Sequence, residues 1–139
     1  MKSVTRWVVV LLAFCLVGCG SLGQLQLSSG QVSVFTGEEV KADPRKREAL
    51  QEGHGVEHLH DFVEHYVKRN RMRESLKLEI TITTLRISFG RDHMSTETVL
   101  IENGKEIDRF TSVSTSVSGN IPKFAKDLSK KIVTRARTY

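Results

Sequence analysis

The densest group of side chains able to bind a metal or move a proton lies between His54 and His65. It contains His54, His58, His60 and His65, with Glu57, Asp61 and Glu64 among them. Neutral imidazole and carboxylate together suit zinc or copper. On a helix, His58, Asp61 and His65 stand at i, i+3 and i+7, on the side away from Leu59 and Val63, and these three are the candidate ligands. Their spacing works against them, because His58 and His65 are two turns apart, ~10 Å along the axis. One ion could join them only with help from another segment. His54 is cut off from the row by Gly53 and Gly55. The competing interpretation is a solvated polar face.

A second group follows at once: Lys68-Arg69-Asn70-Arg71-Met72-Arg73, the densest basic run, with Lys68, Arg69, Arg71 and Arg73 as its cations. Such a run suits lipid phosphates or an anionic envelope polymer; it equally suits a helix end, where positive charge meets the dipole. No aromatic residue interleaves with it, so it does not match a single-strand nucleic-acid surface. The formal net charge of +5 is also far below that of a nucleic-acid binder. The hydroxyl-rich stretch from Thr111 to Ser118 is explained by a half-exposed strand. There is no Gly-x-Ser-x-Gly, no phosphate-cradling glycine loop and no His-Glu-x-x-His, the motifs that would carry nucleophilic, phosphoryl-transfer or zinc-hydrolase chemistry. The expectation is a non-enzymatic protein without a cofactor.

The elements that position these groups follow from periodicity. Asp43-Pro44 is a helix start, a capping carboxylate followed by proline in the first turn; that helix runs to Gln51 or Glu52 and Gly53 ends it. A second helix is predicted from Val56 to about Met72, with Val56, Leu59, Phe62, Val63, Tyr66 and Val67 on one stripe. From Leu76 the period becomes two. Leu78, Ile80 and Ile82 alternate in one phase and Leu85, Ile87 and Phe89 in the other, which predicts a bulge near Thr83-Thr84. A strand from Thr96 to Glu102, an Asn103-Gly104 hairpin turn and a strand from Lys105 to Val117 follow. Asn120 caps a last helix, whose apolar face is Ile121, Phe124, Ala125, Leu128, Ile132 and Ala136. Gln31–Phe35 alternates weakly and could add a short strand. The expected fold is α+β: a two-layer domain over residues 31–139, with a three- to four-stranded antiparallel meander packed against helices. Residues 19–30, rich in Gly, Ser and Gln, read as a tether of at most ~35 Å, although Leu22, Leu25 and Leu27 could dock part of it.

Met1–Arg6 carries Lys2 and Arg6, and Trp7–Val17 is apolar throughout. Eleven residues of helix span ~16 Å, about half a bilayer core, so the segment is a signal and not a spanning helix. It ends in Leu16-Val17-Gly18-Cys19, which resembles the lipobox of bacterial lipoproteins. The resemblance implies that a diacylglyceryl group joins the Cys19 sulfur and that cleavage between Gly18 and Cys19 removes residues 1–18. Of the two cysteines, Cys15 would leave with the signal, and Cys19 would be the sole remaining thiol. One chain alone anchors marginally; two or three make the attachment near permanent. Gly20 stands where an Asp would retain a lipoprotein in the inner membrane, so the resemblance implies delivery to the outer membrane, facing the periplasm, in a Gram-negative host. Residues 77–137, a Thr-rich meander before a C-terminal helix, also look like the small domains of uncharacterised envelope lipoproteins. That likeness transfers no catalytic residue. The implied protein is a membrane-anchored module that binds another envelope protein or a cell-wall component.

Overall fold

The structure, a computed structural model, describes residues 22–87, 91–117 and 120–139. The elements are β1 (Gln26–Ser29), β2 (Val32–Thr36), α1 (Glu38–Ala42), α2 (Pro44–Glu52), α3 (Gly55–Arg69), β3 (Leu76–Arg86), β4 (Asp92–Glu102), β5 (Lys105–Ser116) and α4 (Ile121–Ala136). The strands form one sheet in the order β1-β2-β3-β4-β5. β2 pairs with β3 in parallel and every other pair is antiparallel.

The α+β class and two layers are as expected, but the sheet is five-stranded and mixed, not a three- to four-stranded antiparallel meander. The parallel pair follows from the connection. After β2 the chain makes α1, α2 and α3 before returning as β3, and a crossover of that length brings the strand back in the same direction. The folded body also begins earlier than residue 31. Gln26–Ser29, within the stretch expected to be tether, is a strand that turns at Gly30 (φ 60°) into β2. Leu25 and Leu27 pack against the core, and the Gly23 amide donates to the Gln51 carbonyl at 2.9 Å. Burial of these leucines outweighs the flexibility of their Gly and Ser neighbours.

Local signals set the other boundaries. The Asp43 carboxylate accepts from the Arg45 and Lys46 amides at 3.0 and 3.4 Å, and Asn120 accepts from the Lys123 amide at 3.3 Å. The register shifts between Ile82 and Thr84, where the hydrophobic phase reverses. Asn103 and Gly104 both have positive φ, 53° and 76°, as their tight hairpin needs. β4 starts at Asp92, four residues before the first expected position.

The core fills the space between one sheet face and the two long helices. Val32, Val34, Leu78, Ile80, Ile82, Met94 and Leu100 meet Leu59, Val63, Phe124, Leu128 and Ile132, all fully buried. On β4 and β5 the same face turns polar, with Thr96, Thr98, Ser112 and Ser114 buried. The Thr96 and Thr98 hydroxyl oxygens have no hydrogen-bond partner among the described residues.

One cross-strand row, Gln26–Phe35–Thr81–Glu97–Thr111, divides the molecule into two ends. At the entry end lie Leu22–Gln24, the close of β3 at Ile87, the close of β5 at Val117, and the first residues of α3 and α4. At the far end lie the Gly30 and Asn103-Gly104 turns and the last residues of α3 and α4. The two helices run side by side in one direction: Gly53 and Gly55 abut Ile121, and Arg137 Nη1 donates to Asn70 Oδ1 at 3.4 Å.

Candidate functional site

α3 buries Val56, Leu59, Val63 and Val67 and, with them, His60. His58, Asp61 and His65 consequently face outward. His58 stacks on Phe62 with centroids 6.1 Å apart, and His65 meets the edge of Tyr66 at 5.5 Å. Each ring is thereby occupied with its neighbour on the helix, and Asp61 is 74% exposed. The donors that converge are instead His60, Asp61 and Glu64, whose ligand atoms lie within 4.8 Å of one another. His60 Nδ1 is 3.3 Å from Asp61 Oδ1 and 3.9 Å from Glu64 Oε2. His60 Nε2 is buried without a partner among the described residues, and Nδ1 is the ring nitrogen that faces the carboxylates. The same three atoms offer one side of a coordination shell, as three-ligand sites do. Among the described residues His54 stands apart, in left-handed conformation (φ 49°), 3.9 Å from Glu57. The i, i+4 spacing of His60 and Glu64 is the sequence signal for this cluster. It is masked because His60 falls in the apolar stripe.

The basic run sits at the far end, where α3 stops and the chain turns through Arg71 (φ 51°). Lys68 pairs with Glu64 at 3.5 Å and Arg73 with Glu102 at 2.8 Å, while Arg69 and Arg71 are exposed. A shallow groove runs past Asn70, Arg71, Met72, Arg73, Arg137 and Tyr139, so α4 adds a cation that lies 64 residues or more from the run in sequence. Beside it, hydrogen bonds from Tyr139 and Arg135 hold the Asp108 carboxyl below the usual carboxylate range, and the same contact raises the Tyr139 phenol. On the open face of the sheet Arg109 binds Glu106 and Glu97, which lowers the Glu106 carboxyl. On β5 and α4, burial raises Asp127, but Ser114 and Lys131 outweigh it and leave the carboxyl lowered.

Cys19 and Gly18 lie outside the described residues. The described chain starts at Leu22 and enters at the end opposite the basic groove: Gly23 and Gln24 donate to Gln51 and Glu57 beside the start of α3. The fifteen residues of α3 separate these two ends by ~20 Å. No described helix is long and apolar enough to cross a membrane.

No family model and no curated protein matches the chain. In fold it is similar to a candidate lipoprotein from Caulobacter crescentus CB15, with a TM-score of 0.51 at 13% identity over 78% of this chain and 89% of that one. It is also matched to a minor lipoprotein from Acinetobacter baumannii, with a TM-score of 0.42 at 9% identity over 81% of this chain and 95% of that one.

Proposed function

We propose that this chain is a lipid-anchored, non-enzymatic binding module of the bacterial envelope, acylated on Cys19 after cleavage behind Gly18. The observation that carries this reading is where the chain enters its fold. Leu22 is three residues beyond Cys19 and lies at the end of the molecule opposite the exposed Arg69, Arg71 and Arg137. An anchored body would therefore turn its basic groove away from the membrane that holds it, toward an acidic cell-wall polymer or protein. The lipobox-like Leu16-Val17-Gly18-Cys19 and the fold shared with a candidate lipoprotein support the same reading.

Cell fractionation with mass analysis of the mature N-terminus tests it. The parent chain is expected in the envelope fraction with acyl mass on Cys19, and Cys19→Ser is expected in the soluble fraction. Equal sedimentation of both, with no acyl mass on the parent, would refute the anchor.

A further inference from the structure

The body of the protein is coupled to Cys19 with almost no slack. Two residues, Gly20 and Ser21, separate Cys19 from Leu22, three steps or at most ~10 Å of extended chain. At Gly23 and Gln24 the backbone is already fastened to Gln51 and Glu57. Acyl chains on Cys19 would bring the entry end, and no other part of the domain, against the head groups.

That end is built unlike an ordinary solvated edge. Leu22 is 53% exposed, Ile87 47% and Val117 86%, although each sits where a strand or the chain itself could have ended in polar residues. Among the described residues the remaining large exposed apolar side chains are scattered: Ile107 and Tyr139 at the far end and Val113 along β5. Ile87 borders a groove shared with Arg45, Lys46 and Arg86. Its one carboxylate, Asp43, is engaged in capping α2. Of the exposed acids on α1 and α2, Glu38 and Glu39 are paired with Lys41 and Lys46, while Glu48 and Glu52 are exposed on α2. Apolar tips beside guanidinium and ammonium groups are the chemistry of a membrane interface, where apolar side chains enter the acyl boundary and cations meet lipid phosphate.

We infer that the entry end is a second, non-covalent contact with an anionic phospholipid bilayer. Leu22, Ile87 and Val117 reach below the head groups and Arg45 and Arg86 lie among the phosphates. This rests on the anchored reading above. The covalent lipid holds the protein on the membrane, and the rim fixes its orientation, with β3 and β5 standing end-on and the basic groove projecting outward.

The test uses the acylated, signal-cleaved product, which lacks Cys15, reconstituted in vesicles of phosphatidylethanolamine with phosphatidylglycerol as the minor component. Single cysteines introduced as Ile87→Cys, Val117→Cys and, at the far end, Ile107→Cys carry a nitroxide label. The Cys19 sulfur is blocked by its lipid, so each is the sole reactive thiol. All three sites are exposed, and labelling should not disturb folding. The ratio of collision rates with oxygen to those with a water-soluble nickel chelate should rise several-fold on reconstitution at positions 87 and 117 and stay unchanged at 107. Acylated protein in which all three labels remain in water would overturn the inference and leave the anchor standing. Shelter at 87 and 117 that appears equally without vesicles and grows with protein concentration would also overturn it, because the rim would then be covered by a second copy. Absence of acyl mass would remove the anchored reading and this inference with it.

Discussion

Substituting Gly55 by Ala probes the corner to which the entering chain is fastened. A Cβ at Gly55 would stand 2.3 Å from Leu50 Cδ1, 3.3 Å from Leu50 Cγ and 3.1 Å from Ile121 Cγ2. Leu50 is fully buried, so its methyl cannot swing into solvent, and Ile121 is branched at the first residue of α4. Overpacking of this kind costs about 1–3 kcal/mol. At the first position of α3 Ala gains only part of the ~1 kcal/mol by which a helix interior favours it over Gly, which leaves a net loss of about 0.5–2.5 kcal/mol and a fall in Tm of roughly 2–12 °C. Leu50→Ala alone should cost ~2–5 kcal/mol through its cavity. In the double variant the new methyl occupies space that Leu50 has vacated, so the losses should fall short of their sum by at least ~1 kcal/mol. Urea unfolding of the mature-length chain carrying Cys19→Ser measures all four corners of this cycle. Because the Gly23 amide is bonded to the Gln51 carbonyl in the same corner, its hydrogen exchange should quicken in Gly55→Ala. A Gly55→Ala variant as stable as the parent, or strictly additive losses, would refute the packing argument.

Asp108→Asn removes a carboxylate whose folded-state pKa is lowered from 3.8, first by the Tyr139 hydrogen bond and then by Arg135. A lowered carboxylate stabilises the fold above its unfolded pKa, and that contribution vanishes as pH falls through the folded value. The variant should therefore melt below the parent at neutral pH and converge with it in acid; a gap that persisted unchanged into strong acid would contradict the assignment. Thr98→Val deletes a buried hydroxyl that has no partner among the described residues and should be neutral or stabilising by up to ~1 kcal/mol. A clear loss in the same urea assay would mean that the hydroxyl is satisfied.

The legible part of the fold is the part with a local cause. Asp43 and Asn120 mark helix starts because their side chains answer amides two or three residues on. The phase reversal across Thr83-Thr84 marks a real change of register, since a strand cannot otherwise turn its other side to the core. β1 was hidden because Gln26–Ser29 is mostly exposed and has one apolar residue; its order comes from pairing with β2. α1 offers only Val40 to the core, too little for any period. The metal-type cluster was half legible. Asp61 belongs to it, but His58 and His65 look outward to Phe62 and Tyr66, and His60, concealed in the apolar stripe, provides the converging nitrogen. Arg137 could not be assigned to the basic groove from sequence, because only the parallel course of α3 and α4 brings it there.

The crossover between β2 and β3 also governs the order in which the chain can become a protein. Made from its first residue onward, the chain completes β1 and β2 and then three helices with only that two-stranded hairpin to cover. Val32 and Val34 can meet Leu59 and Val63 early, but the inner edge of β2 must wait for Leu78–Ile82, some forty residues on, for its partner strand. Contacts of such long sequence separation slow folding and leave strand edges open in the meantime. A nascent fragment ending before Leu76 would thus hold every helix but the last with only the short first hairpin to pack against, and the inner edge of β2 would stand unpaired until β3 emerged.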